Sequence, residues 1–243
     1  MPPQFEEKQE CSSLLSRRLP TTSPPKTVIF CYGGDFLKGV LSSLSHKSCD
    51  GRFSKLYFLT DYPGVAIGDF GGGAFTIASK MEELITWGVE QFISIGIAGT
   101  LQAKAVIGDI VLCEKAIRDE ETSPHYLPLA KYIHAPRRMT NKLLQELKKA
   151  EHPYHIGSTW TTERFYQQTQ EEVQRYQKEG IITVEMQAAA LFAVAHFYQV
   201  DLGALFTISD SPSDLVWQPH LEEKKVDRSL KILLDIALNA TKY

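Results

Sequence analysis

The chain has 243 residues, 43% of them hydrophobic, and a formal net charge of −3 from 26 Lys and Arg against 29 Asp and Glu. That is enough for one large α/β domain or two small ones, with a substantial core, and the charge argues against a general nucleic-acid binder, which needs a basic footprint. No apolar run approaches a membrane span, so no membrane partner is expected. The N-terminus, MPPQFEEKQECSSLL, lacks a basic segment followed by an apolar one, so no secretory signal is expected either. Cys11, Cys31, Cys49 and Cys113 show no close pairing and no metal-like spacing. Reduced thiols in a cytoplasmic protein are the expectation.

Residues 1–26 are rich in proline, serine and charge and read as a flexible or loosely docked arm. A strand is predicted at Thr27–Tyr32, followed by Gly33-Gly34-Asp35 and a helix carrying Leu37, Val40, Leu41 and Leu44. A glycine turn into a helix start can hold an anion on backbone N–H groups, with Lys38 one turn in. It can equally be a plain helix start capped by Asp35. Lys55–Thr60 and Gly64–Asp69 read as strands joined by a proline turn. Gly71-Gly72-Gly73 then leads into a helix ending near Trp87; its glycines permit positive φ and close approach of another group.

Phe92–Ile97 is a buried strand ending in small residues, Gly96, Ala98 and Gly99, which leave room for a ligand or for close packing. Ile107–Leu112 is a further strand, and Arg118 to Tyr126 a polar loop containing His125. Thr140 is a candidate cap for a helix with Leu143, Leu144 and Leu147 on one face. A strand near His155–Trp160 precedes an amphipathic helix that turns Val173 and Tyr176 inward. From Ile182 to Asp210 the pattern is strand end, all-apolar helix, turn and buried strand. Its polar groups stand at the two ends: Glu185 and Gln187, then Ser209 and Asp210. The mouth of such a unit is where a site is expected. A final helix is predicted at about Glu222 to Asn239. Alternating strands and helices without a long repeat indicate an α/β layer fold with a parallel or mixed sheet. No P-loop, dinucleotide GxGxxG, HExxH or GxSxG motif is present.

Six segments, with Ile208-Ser209-Asp210 after them, together resemble the nucleoside phosphorylase family. In order they are Gly34 to Lys38 (GDFLK), Gly71 to Leu84 (GGGAFTIASKMEEL), Ser94 to Leu101 (SIGIAGTL), Val106 to Asp109 (VIGD), Arg118 to Leu127 (RDEETSPHYL) and Val184 to Leu191 (VEMQAAAL). That family includes purine nucleoside phosphorylases, uridine phosphorylases and related nucleosidases, and the similarity runs over roughly residues 27 to 240. The resemblance implies one domain at 27–243: a three-layer α/β fold with a central mixed, partly barrel-like sheet flanked by helices. It implies cleavage of a nucleoside N-glycosidic bond with inorganic phosphate as co-substrate, no other cofactor and no metal. It also implies a homo-oligomer, dimer or hexamer.

Position by position, the resemblance puts Asp210 where purine-cleaving members keep the acid that protonates the base. Trp160 and Phe165 fall at base-binding positions, with Tyr166 beside them, and Met186 and Gln187 at ribose-binding positions. Gly34 and Lys38 fall at the phosphate-binding turn. Several positions depart from the family pattern. Gln187 replaces an acid, and an amide carries no charge and has donors only at its NH₂ end. Lys38 replaces an arginine, so it meets phosphate as a point charge and not bidentately. Ser94 replaces a second arginine, and Ile97 a hydroxyl donor. Arg52 is the obvious local candidate for an arginine shared between subunits. Phosphorolysis, phosphate-independent hydrolysis and nucleoside binding without catalysis are all readings of this pattern.

Overall fold

The computed structural model describes residues 19–49, 55–164, 166–211, 218–219 and 224–242. Arg52 and Phe165 lie outside them, as do most of the expected arm and of the loop after Asp210. The described part of the arm is docked: the Trp87 indole donates to the Thr22 carbonyl at 3.2 Å, and Leu19 packs on the core.

The first strands are β1 (Thr27–Cys31), β2 (His46–Ser48), β3 (Leu56–Leu59), β4 (Val65–Gly68), β5 (Gln91–Thr100) and β6 (Ile110–Asp119). They are followed by β7 (Tyr132–His134), β8 (Tyr154–Thr162), β9 (Thr183–Glu185), β10 (Asp201–Ser211) and β11 (Gln218–Pro219). The helices are α1 (Gly34–Ser43), α2 (Ala74–Trp87), α3 (Arg137–Leu147), α4 (Gln170–Lys178), α5 (Ala188–Tyr198) and α6 (Lys224–Ala240). The strands join in one sheet, β11-β10-β6-β8-β9-β5-β1-β4-β3-β2, with β7 on β6. A second pairing of β10 with β5 closes β10, β6, β8, β9 and β5 into a barrel. Parallel pairs (β1 with β4 and β5, β5 with β10) and antiparallel ones (β10 with β6, β5 with β9) coexist. The expected mixed, partly barrel-like sheet is therefore present.

Strand β1 shows why the layers form. Val28 and Phe30 face one cluster, with Ile77, Met81 and Leu84 of α2 and Phe192 of α5. Ile29 and Cys31 face the other, with Leu143 of α3 and Leu233 of α6. A strand buried on both faces reads as a continuous apolar run, which is what this segment is. Helix α5 is buried continuously from Ala188 to Ala195, so its sequence has no polar face.

Some local expectations change. Helix α3 begins at Arg137 behind Pro136, one turn before Thr140, and the Thr140 hydroxyl donates back to the Pro136 carbonyl at 2.7 Å. Asp35 is not the cap of α1; Gly33 is, and Asp35 pairs with Lys38 in the first turn. Strand β6 continues through Arg118 and Asp119, which were read as loop, because β8 pairs along it to the end. Among the described residues no helix is long and apolar enough to cross a membrane.

Candidate active site

A cleft of about 430 Å³ opens at the C-terminal ends of β1, β5 and β10. Open α/β sheets bind ligands at this edge, where strand ends diverge and helix starts present free N–H groups. Its walls are Tyr32 and Gly33 after β1, Ile97 to Gly99 on β5, and Val184 to Gln187 running from β9 toward α5. Ser209 and Asp210 on β10, and Thr162, Tyr166, Gln168, Gln170 and Val173 around the β8–α4 connection, complete it.

Asp210 reaches the cleft through an irregularity. The β10–β5 register runs from Ile208 opposite Ala98 directly to Asp210 opposite Gly99, so Ser209 is the extra residue of a bulge. A bulge re-aims the side chain beside it. Here it lays the Asp210 carboxylate over Gly99: a Cβ at position 99 would lie 2.7 Å from Asp210 Oδ2 and 3.2 Å from Val184 Cγ1. The Ser209 hydroxyl, fully buried, donates to Asp210 Oδ1 at 2.7 Å.

The other end of the unit that runs from Ile182 to Asp210 supplies Met186 and Gln187, which also line the cleft. Gln187 Oε1 accepts the Met186 N–H at 3.3 Å, which turns its NH₂ toward the glycine turn before α2. A Cβ at Gly72 would stand 3.2 Å from that nitrogen. One use of the Gly71–Gly73 stretch is thus to make room for an amide.

Glu185 is a cleft residue for which the sequence supplied a place but no role. It is 6% exposed. Thr161 Oγ1 donates to its Oε1 at 2.5 Å, and the N–H groups of Gln187 and Ala188 donate to Oε2 at 2.7 and 2.9 Å. Burial pushes its pKa from 4.5 up to about 7; the three hydrogen bonds pull the other way, and the Glu120 charge adds to the rise. The readable signal was a carboxylate immediately before an all-apolar helix, where it can bind the first N–H groups.

Other expected residues lie elsewhere. Trp160 is 0% exposed and does not line the cleft; its ring packs on Tyr176 and its indole N–H donates to Asp119 at 2.9 Å. It packs in a buried cluster with Leu101, Ile117, Tyr176 and Ile181. Lys38 is also outside the cleft lining: its side chain is 80% exposed and binds Asp35 at 2.9 Å. Gly34 opens α1, while Gly33 before it reaches the cleft. Ser94 is buried against the Tyr32 hydroxyl at 3.0 Å, and Ile97, 38% exposed, presents an apolar side chain to the cleft. Among the described lining residues there are two carboxylates and no lysine or arginine.

A family model described as the phosphorylase superfamily matches residues 65–238, from the start of β4 to near the end of α6. The chain belongs to the phosphorylase superfamily. A guanosine phosphorylase of Halorubrum lacusprofundi is 27% identical over 176 residues, which cover 68% of this chain and 72% of that protein. A DeoD-type purine nucleoside phosphorylase of Caldanaerobacter subterraneus is 29% identical over 178 residues, covering 69% and 75%. The solved uridine phosphorylase of Vibrio fischeri superposes with a TM-score of 0.77 at 20% identity, over 92% of this chain and 95% of that one. This last likeness concerns the fold. The superfamily match bears out the resemblance drawn from the VEMQAAAL and SIGIAGTL segments.

Proposed function

We propose that the protein cleaves the N-glycosidic bond of a purine nucleoside, with inorganic phosphate as acceptor, releasing free base and ribose 1-phosphate. The observation that carries this reading is Asp210, held over Gly99 by a bulge in a cleft shared with Met186 and Gln187. In the transition state the ribosyl group becomes cationic and negative charge builds on the departing base. Asp210 delivers a proton to a ring nitrogen of that base as the bond to the sugar breaks. Met186 and Gln187 border the sugar. Excluding bulk water from the cleft strengthens each of these contacts.

Hydrolysis is a second reading with an observation of its own. A phosphate dianion needs positive partners when it leaves water, and the described lining offers Ile97 and two carboxylates but no cation. Water, being neutral, meets no such penalty.

The test is a panel of ribo- and deoxyribonucleosides, purine and pyrimidine, incubated with and without phosphate and assayed for free base and ribose 1-phosphate. Phosphate-dependent release from purine nucleosides supports the proposal. Release without phosphate assigns hydrolysis, and binding without turnover assigns a non-catalytic relative. Asp210→Asn lowers purine-nucleoside cleavage by about 10²-fold or more if the carboxyl is the proton donor; an unchanged rate removes that role.

A further inference from the structure

In the β8–α4 connection, whose described residues are 163–164 and 166–169, Tyr166 and Gln168 form one wall of the cleft. Tyr166 is 85% exposed although it lines the cleft, and Gln168 lines it as well. An exposed wall keeps one shape only where specific bonds offset its conformational entropy.

Arg164 supplies two such bonds. One guanidinium nitrogen, Nη2, donates to Asp119 Oδ2 at 2.8 Å and to Glu172 Oε1 at 2.7 Å. Asp119 ends β6, and its carboxylate is fixed from behind by the Trp160 indole at 2.9 Å. Glu172 lies in the first turn of α4 and is itself fixed by a reciprocal capping box with Thr169. The Arg164 N–H also donates to Thr162 Oγ1 at 3.3 Å. The arginine therefore joins the end of one barrel strand to the start of the helix beyond the wall, with the cleft-lining residues strung between.

We infer that Arg164 is a positioning residue for nucleoside binding, acting through the two carboxylates it bridges to hold the Tyr166–Gln168 wall against the ligand. The inference rests on the nucleoside-cleavage reading above. Without the guanidinium, Asp119 and Glu172 would lose the cation that bridges them. Their repulsion would then spread the wall away from the rest of the cleft. Both bonds come from the one nitrogen Nη2, and a lysine ammonium keeps the charge and the donors on a stem of different length and geometry, so it restores the bridge in part.

The experiment measures kcat and KM of the wild type, Arg164→Ala and Arg164→Lys with the nucleoside the wild type cleaves best. Arg164→Ala is expected to raise KM about tenfold with kcat within about threefold, the pattern of lost uniform binding. Arg164→Lys falls between the two. Because the bridge is partly exposed, the wild-type KM should climb toward the Arg164→Ala value as salt rises to about 1 M, where screening is nearly complete over a few ångströms. The Arg164→Ala value should stay flat. If Arg164→Ala fails to fold, the Arg164→Lys KM and the wild-type salt dependence carry the test. Wild-type KM values independent of salt, or variant KM values equal to wild type whatever their melting temperatures, overturn the inference. Absence of cleavage by the wild type overturns the functional reading itself, and the positioning role with it.

Discussion

Glu185→Gln isolates the energetic consequence of one buried carboxyl. In the folded protein, burial raises its pKa from 4.5 to about 7. Between those values the folded state holds a proton that the unfolded chain has released. Stability therefore falls as pH rises through this window, with the full contribution present below 4.5 and lost above about 7. At about 1.4 kcal/mol per pH unit, the rise corresponds to about 3 kcal/mol by pH 8.5. Glutamine imitates the protonated form: its carbonyl oxygen can accept the Gln187 and Ala188 N–H groups, and its NH₂ can donate to Thr161 Oγ1. The assay is urea unfolding of both proteins at intervals from pH 5 to pH 8.5. The stability of Glu185→Gln relative to wild type should grow by about 2–3 kcal/mol across that range. Tyr32 and Cys113, which couple to Glu185, are pushed up by burial and stay protonated in both proteins over this range. A difference that stays constant with pH would show that Glu185 is ionised throughout, and the reasoning from burial would fail.

Two further outcomes follow from the site geometry. Gly99→Ala places a methyl 2.7 Å from Asp210 Oδ2, which displaces the carboxylate from its present position. Since a displacement of about 1 Å can cost about 10²-fold in rate, kcat should fall 10- to 100-fold, and full activity would detach the carboxylate's placement from catalysis. Lys38→Ala should change KM for phosphate by no more than about twofold, because Lys38 lies outside the cleft lining and its exposed ammonium is paired with Asp35. A tenfold rise would return Lys38 to the acceptor site.

The apolar runs specified most of the architecture directly. A strand with apolar residues on both faces must be covered twice, and a helix without a polar side must be central; β1 and α5 obey both rules. The polar ends of the β9–α5–β10 unit were likewise legible, because a charged group bounding a buried segment has to lie at its mouth. Asp210, Met186 and Gln187 do meet there. Trp160 was not legible in the same way. An aromatic near a strand end fits a cleft or a core equally well, and its partners Asp119 and Tyr176, from separate elements, hold it in the core. Nor does local sequence announce Arg164, since its partners Asp119 and Glu172 come from separate elements.

The amino-acid order by itself determined the layers, the family and the segment that bears the site, since these depend on periodicity and on residue identity along the chain. Tertiary structure decided which side chains enter the cleft and what charge they carry there. It did so because a bulge at Ser209 aims Asp210, and because the Glu185 pKa depends on how much water the surrounding barrel excludes.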